Sequence, residues 1–164
     1  MSTALPLRVG IGYDSHRFGE GGPMRLGGID IPADMHCAGH SDGDAICHAV
    51  TDALLGAAAL GDIGEMFPDT DAVNEGKDST VMLSAAVARL HHAGWRVGNV
   101  DITVVTQRPK IGPHRAAIRA RLAELLDVTD IDVFVKGKTN ESMGWIGREE
   151  GLAVMATATV LPRH

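Results

Sequence analysis

A chain of 164 residues with 45% hydrophobic and only 4% aromatic content is long enough for one domain with a sizeable core built from Ala, Val, Leu and Ile. Its net charge of −6 argues against nucleic acid or an anionic membrane as the main partner, because neutralising phosphates takes clustered Lys and Arg. No apolar stretch reaches the roughly 20 residues that span a bilayer, Met1 to Arg8 lacks the charged start and apolar core of a secretory leader, and Cys37 and Cys47 fit unpaired thiols of a cytoplasmic protein. In chain order, Leu7 to Ile11 reads as a β-strand, and the turn Gly19-Glu20-Gly21-Gly22-Pro23 leads into a short hairpin, Met24 to Ile31, ended by Pro32. Asp44 to Leu60 is a helix with Ser41 or Asp42 available to cap it and Gly61 to stop it. A loop through Asp62, Phe67, Pro68, Asp69 and Asp71 precedes a second helix from about Asp78 to His92 that ends at Gly94. Then come a strand, Asn99 to Gln107, and a third helix opening on Pro113 with Ile118, Leu122, Leu125 and Leu126 on one face. Strands at Ile131 to Gly137 and Leu152 to Leu161 follow.

Helices alternating with strands after an N-terminal hairpin predict an α/β (α+β) two-layer sandwich, a mixed four- to five-stranded sheet with helices packed on one face. One domain is expected over 1–164, with its core at about 8–161. The last strand mixes Ala153, Met155, Ala156, Ala158 and Val160 with Thr157 and Thr159, so neither of its faces is strongly polar. A sheet face without helix cover needs another partner, and a homo-oligomer is the simplest one.

Asp14 and His16 lie two apart at the end of the first strand, where period-two geometry turns both side chains to one face. His48 comes from the first helix. A carboxylate and two imidazoles with one position left open meet the needs of a catalytic zinc, whereas a structural zinc is closed; the same spacing also fits a turn with a chance histidine. Asp44, His48 and Asp52, at i, i+4 and i+8, form a polar stripe on a helix without Lys or Arg. Asp44 or Asp52 could accept the second ring N–H of His48 and fix its tautomer, the alternative being a solvated face with ordinary ion pairing. Cys47 diverges from His48 by about 100° around the helix and reads as a buried, inert thiol. His40, just before the helix, either hydrogen-bonds a phosphate or caps the loop. His36, His91, His92, His114 and His164 show no convergent partners. A second polar concentration runs from Lys136 to Gly151, a loop between strands whose hydroxyl, amide, backbone N–H and lysine groups suit a diphosphate. Glu141 in it could hold a second hard cation such as Mg²⁺, and Trp145 sets the stretch apart from plain solvated surface.

Gly12-Tyr13-Asp14-Ser15-His16, His40-Ser41-Asp42-Gly43-Asp44 with His48, the run Thr51 to Gly64, and Phe67-Pro68-Asp69-Thr70-Asp71 resemble, in that order, the 2-C-methyl-D-erythritol 2,4-cyclodiphosphate synthase family of the non-mevalonate isoprenoid pathway. The similarity runs from about Arg8 to Leu161 and includes Gly98-Asn99-Val100-Asp101, Pro109-Lys110 and Gly147-Arg148 with Glu150-Gly151. The resemblance implies a homotrimer with active sites at subunit interfaces, each using one Zn²⁺ and a second divalent cation, Mg²⁺ or Mn²⁺. It implies 4-diphosphocytidyl-2-C-methyl-D-erythritol 2-phosphate as substrate, its 2-phosphate attacking the β-phosphorus of its own diphosphate to give the cyclic diphosphate and CMP. Asp14, His16 and His48 match the zinc ligands and Glu141 the ligand of the second metal. Asp62, Gly64, Phe67 and Asp69 match positions around the methylerythritol, with His40 and Ser41 beside the phosphates. Thr106, Pro109, Lys110, Ile111, Lys138 and Thr139 match a cytidine diphosphate pocket from the neighbouring subunit. Trp145 and Arg148 are further candidates for substrate contact, and the family suggests isoprenoid phosphate binding along the trimer axis near Arg148.

Many family members carry Ala-Thr-Thr before the metal-binding Glu and Lys after it, whereas here Gly137-Lys138-Thr139 precedes Asn140-Glu141 and Ser142 follows. Gly112 is a further departure, loosening the loop around the base. These differences bear on nucleotide binding, not on the reaction. No nucleophilic Ser or Cys with a paired base is evident, and none is needed where the substrate supplies its own nucleophile; positioning and charge neutralisation suffice. Two other functions fit the residues: a zinc phosphoesterase that releases free phosphate, and a non-catalytic trimeric metal- or ligand-binding module, which leaves Glu141 unexplained. No cytidylyltransferase domain is expected.

Overall fold

In a computed structural model of the chain, residues 7–163 are described; most of the Met1 to Arg8 stretch, and His164, lie outside them. The strands are β1 (Arg8–Glu20), β2 (Met24–Leu26), β3 (Ile29–Ile31), β4 (Met35–Cys37), β5 (Trp95–Val105), β6 (Val133–Lys138) and β7 (Gly151–Pro162). The helices are α1 (Ala45–Ala58), α2 (Ile63–Met66), α3 (Ser79–His92), α4 (Arg115–Leu126) and α5 (Gly144–Gly147). Five strands form one mixed sheet in the order β4-β1-β7-β5-β6, while β2 and β3 make a separate hairpin. Only β5 and β6 run parallel within the five-stranded sheet, and α4 lies in the crossover that parallel pairing requires.

β1 extends well past its apolar run because it has partners along its length. Arg8 to Arg17 pair with Val160 to Gly151 of β7, and Phe18 to Glu20 with Cys37 to Met35 of β4. Asp14 and His16 therefore lie inside a strand rather than at its end, with their alternation fixed by a two-sided ladder. Gly10 and Gly12 share their face and receive α1. A Cβ on Gly12 would fall 1.8 Å from the Ala49 carbonyl oxygen, and one on Gly10 2.0 Å from that of Ala53. Backbone thus meets backbone, which carries His48 on α1 directly over Asp14 on β1. The core continues through Ile46, Val50, Leu54, Leu83, Leu90, Ile102, Ile118, Leu122 and Leu126, all fully buried. Val9, Ile11, Tyr13 and Met155 project from the other face of the sheet, Ile11 being 74% exposed, and among the described residues no helix covers them.

Several boundaries differ from the sequence reading for local reasons. The α1 cap is Asp44, not Ser41 or Asp42, and the helix ends at Ala59 in left-handed conformation, before Gly61. Pro113 lies in a short 3₁₀ turn ahead of α4, Leu125 is only partly buried, and Ile131 precedes β6 in another 3₁₀ turn, 83% exposed. β4, α2 and α5 span three or four residues each, too few for a hydrophobic period to register. Among the described residues no helix is long and apolar enough to cross a membrane.

Candidate active site

Asp14 and His16 on β1 and His48 on α1 converge as the sequence leads one to expect, with the three ligand-type atoms within 4.8 Å of one another. Asp14 Oδ2 lies 2.8 Å from His16 Nε2 and 3.1 Å from His48 Nδ1, and the two ring nitrogens are 3.3 Å apart. Zinc with ligands at about 2.0–2.2 Å in tetrahedral geometry needs its donor atoms roughly 3.3 Å apart, so this set fits a divalent cation with little adjustment. The outer ring nitrogens are also engaged. His16 Nδ1 lies 2.9 Å from the Ala38 carbonyl, and His48 Nε2 lies 3.0 Å from Ser41 Oγ and 2.7 Å from Ser79 Oγ. A proton on each outer nitrogen leaves the inner lone pairs free for a metal.

Neither Asp44 nor Asp52 takes the place foreseen for it beside His48. Asp44 is fully buried and accepts from the backbone N–H of Gly27 at 2.8 Å, Gly28 at 2.7 Å and Cys47 at 3.0 Å, so it caps α1 and pins the β2–β3 turn. Asp52 accepts from Ile63 N–H at 2.7 Å, tying α2 to α1. Burial raises the Asp52 pKa; the Ile63 hydrogen bond lowers it only in part, and the charge of Asp62 adds to the rise. The groups that do orient His48, Ser41 and above all Ser79, come from the loop before α1 and from the start of α3. Nothing in the sequence near Ser79 announces this, because its partner lies 31 positions away.

A cleft of about 240 Å³ opens over the triad, lined also by His40, Ser41, Asp52, Gly64, Phe67 and Asp69. Among the described residues no Lys or Arg lines it. Asp62 stands just outside, capping α2 by accepting from Glu65 N–H at 2.8 Å. Thr106, Pro109, Lys110, Ile111, Lys138 and Thr139 gather in a second cavity of about 450 Å³, with Arg115 as a third cation and no carboxylate. The two cavities share no residue. Glu141 belongs to neither. It is exposed, at φ +52° with Ser142 at +59°, and its carboxylate is 3.4 Å from the Thr139 hydroxyl. Trp145 lines a separate depression with Arg17, Phe18 and Glu150, which touches the triad only through His16. Arg148 is exposed and donates to Glu150 at 2.9 Å. Within one protomer, then, the triad and the basic cavity each assemble, and Glu141, Trp145 and Arg148 line neither the cleft over the triad nor the basic cavity.

The thiols are inert by environment. Burial pushes Cys37 up to about 12, with Asp44 and Asp14 adding to the rise, and burial likewise raises Cys47 well above its ordinary value.

Fold and site define a mixed α/β protein with an aspartate and two histidines that could hold a metal ion and a separate cationic cavity. The YgbB family model matches residues 7–161. A protein named 2-C-methyl-D-erythritol 2,4-cyclodiphosphate synthase from Gemmatimonas aurantiaca is 83% identical over 158 residues, 96% of this chain and 95% of that protein. The bifunctional IspDF of Campylobacter jejuni superimposes with a TM-score of 0.92 at 40% identity, covering 95% of this chain and 42% of that longer one. The IspF–CDP complex of Plasmodium falciparum gives 0.84 at 33% identity, covering 96% and 97% of the two chains. The chain belongs to the YgbB family, the 2-C-methyl-D-erythritol 2,4-cyclodiphosphate synthases. It is accordingly an enzyme, a lyase of isoprenoid precursor biosynthesis.

Proposed function

We propose that the enzyme holds 4-diphosphocytidyl-2-C-methyl-D-erythritol 2-phosphate across a boundary between two subunits of a homotrimer and closes its 2-phosphate onto the β-phosphorus of its own diphosphate. One observation carries the reading: a histidine–carboxylate cleft without Lys or Arg and a basic cavity without carboxylates share no residue on one protomer. At about 240 Å³ the cleft is also below the roughly 300–1,000 Å³ of small-molecule sites, so a polyanion of this size needs the second cavity as well. The uncovered apolar sheet face supports assembly with further copies of the chain.

Asp14, His16 and His48 hold Zn²⁺, and Glu141 holds the second divalent cation, Mg²⁺ or Mn²⁺. Bound there, these ions supply Lewis acidity to the phosphate oxygens. Lys110 and Lys138 pair with the diphosphate, Thr106 and Thr139 donate hydroxyl hydrogen bonds, and Pro109 and Ile111 pack against the base. The presence of CDP in the Plasmodium falciparum complex supports a nucleotide ligand. His40 and Ser41 stand beside the phosphates, while Asp62, Gly64, Phe67 and Asp69 shape the methylerythritol end. Trp145 and Arg148 complete the surroundings from the neighbouring loop. A 2-phosphate oxygen bonds to the β-phosphorus, the bond from that phosphorus to the CMP oxygen breaks, and CMP leaves with the electron pair. No protein nucleophile takes part; the side chains align the two phosphates and neutralise charge. The buried, unpaired Cys37 and Cys47 support work in the cytoplasm.

Phosphorus NMR of the products made by purified protein with zinc, Mg²⁺ and this substrate tests the reading. The cyclic diphosphate and CMP are expected; linear phosphates would overturn it.

A further inference from the structure

Ser79 opens α3, is fully buried, and sits between two side chains that belong to other parts of the fold. Its Oγ lies 2.7 Å from His48 Nε2 on one side and within a short hydrogen bond of Asp42 Oδ1 on the other. Asp42 is itself locked in place. Its Oδ2 accepts from Ser79 N–H at 3.0 Å and its Oδ1 from Asp44 N–H at 3.1 Å, and the Arg25 guanidinium stands 4.0 Å away while also facing Asp30 and Asp78.

The direction of the protons follows from what each group can do. An ionised carboxylate only accepts, so the Ser79 hydroxyl proton points to Asp42. The lone pair of Ser79 then faces His48, and Nε2 must carry the hydrogen that it accepts. In the neutral imidazole that takes up a cation, protonation on Nε2 leaves the lone pair on Nδ1, the atom that faces Asp14 Oδ2 and His16 Nε2. Ser41 Oγ, farther off at 3.0 Å, also accepts from Gly43 N–H at 3.4 Å.

We propose that Ser79, oriented by Asp42, is a positioning residue that sets the tautomer and ring orientation of His48 and so the affinity of the triad for its cation. The relay rests on the reading that Asp14, His16 and His48 hold zinc. It has a further consequence for the fold: because Ser79 begins α3 and Asp42 precedes α1, the docking of α3 onto α1 is read out at the metal pocket.

Zinc dissociation constants from chelator competition, with circular dichroism to confirm folding, provide the test. Ser79→Ala is expected to weaken zinc binding about 10- to 100-fold, the usual cost of removing a partner behind a metal-bound histidine. Asp42→Asn is expected to weaken it too, because an amide nitrogen would confront a backbone N–H whichever way it turned. Ser79→Thr keeps the hydroxyl and should recover most of the affinity. Folded Ser79→Ala with unchanged zinc affinity overturns the relay, whereas wild-type protein that binds no zinc overturns the metal reading beneath it. If Ser79→Ala does not fold, proton NMR of the zinc-loaded wild type decides: a His48 Nε2–H protected from exchange with water supports the relay, and a freely exchanging one overturns it.

Discussion

Asp14 and His16 favour each other's charged forms when no cation competes for them. Burial pushes the Asp14 pKa up, but hydrogen bonds from His16 and His48 and their charge outweigh it and leave Asp14 below its ordinary value. Burial also opposes the His16 cation, and the hydrogen bond and charge of Asp14 more than offset it, so His16 is raised. A lowered carboxyl stabilises the fold above its unfolded value near 3.8 and loses that contribution as pH falls through its folded value. A raised imidazole stabilises below its unfolded value near 6.5 and loses the contribution as pH rises through its folded value. Thermal melting of metal-free protein is therefore expected to show this pair's full contribution between those two values and to decline on either side. Zinc must displace the His16 proton, so titrations should give an affinity that rises with pH by up to about tenfold per unit until His16 is deprotonated. His16→Ala and His48→Ala should each reduce CMP release by about 10²-fold or more, measured alongside loss of bound zinc.

At the scale of elements, two devices hold the triad together. Gly10 and Gly12 let α1 lie against β1, and Gly12→Ala would force a methyl to 1.8 Å from the Ala49 carbonyl oxygen. Overpacking of this kind costs about 1–3 kcal/mol or more, and here it should also separate His48 from Asp14, so both melting temperature and zinc affinity are expected to fall together. Asp44 joins α1 to the β2–β3 turn through three backbone N–H groups. Removing its carboxylate in Asp44→Ala leaves buried donors unsatisfied, at about 2–4 kcal/mol for a lost cap plus orphaned N–H groups. Denaturant unfolding checks that figure.

For the whole molecule the separated cavities make a sharp case. His48→Ala disables the histidine–carboxylate cleft, and the double variant Lys110→Ala, Lys138→Ala disables the basic cavity. If sites form between neighbouring copies, unfolding and reassembling an equal mixture of these two inactive proteins should restore about a quarter of wild-type CMP release, because random neighbours combine two intact halves in that share of sites. A site contained in one protomer would restore none. Light scattering of the wild type should report three copies.

The apolar periods of α1, α3, β5 and β7, and the pairing of Asp14 with His16, are properties of local sequence, since side-chain direction along a strand or helix follows from backbone geometry alone. So are the motifs that mark the family. What local sequence does not contain is distance between elements. The length of β1 depends on β7 and β4 lying beside it, and the role of Asp44 was settled by Gly27 and Gly28, not by the helix on which it stands in line with His48. Ser79 became a neighbour of His48 only when α3 docked on α1. The sequence by itself thus determined which residues could bind a cation and a nucleotide diphosphate. Tertiary structure decided which of them meet in one protomer, because burial and backbone hydrogen bonding, not spacing, choose the partner of each buried polar group.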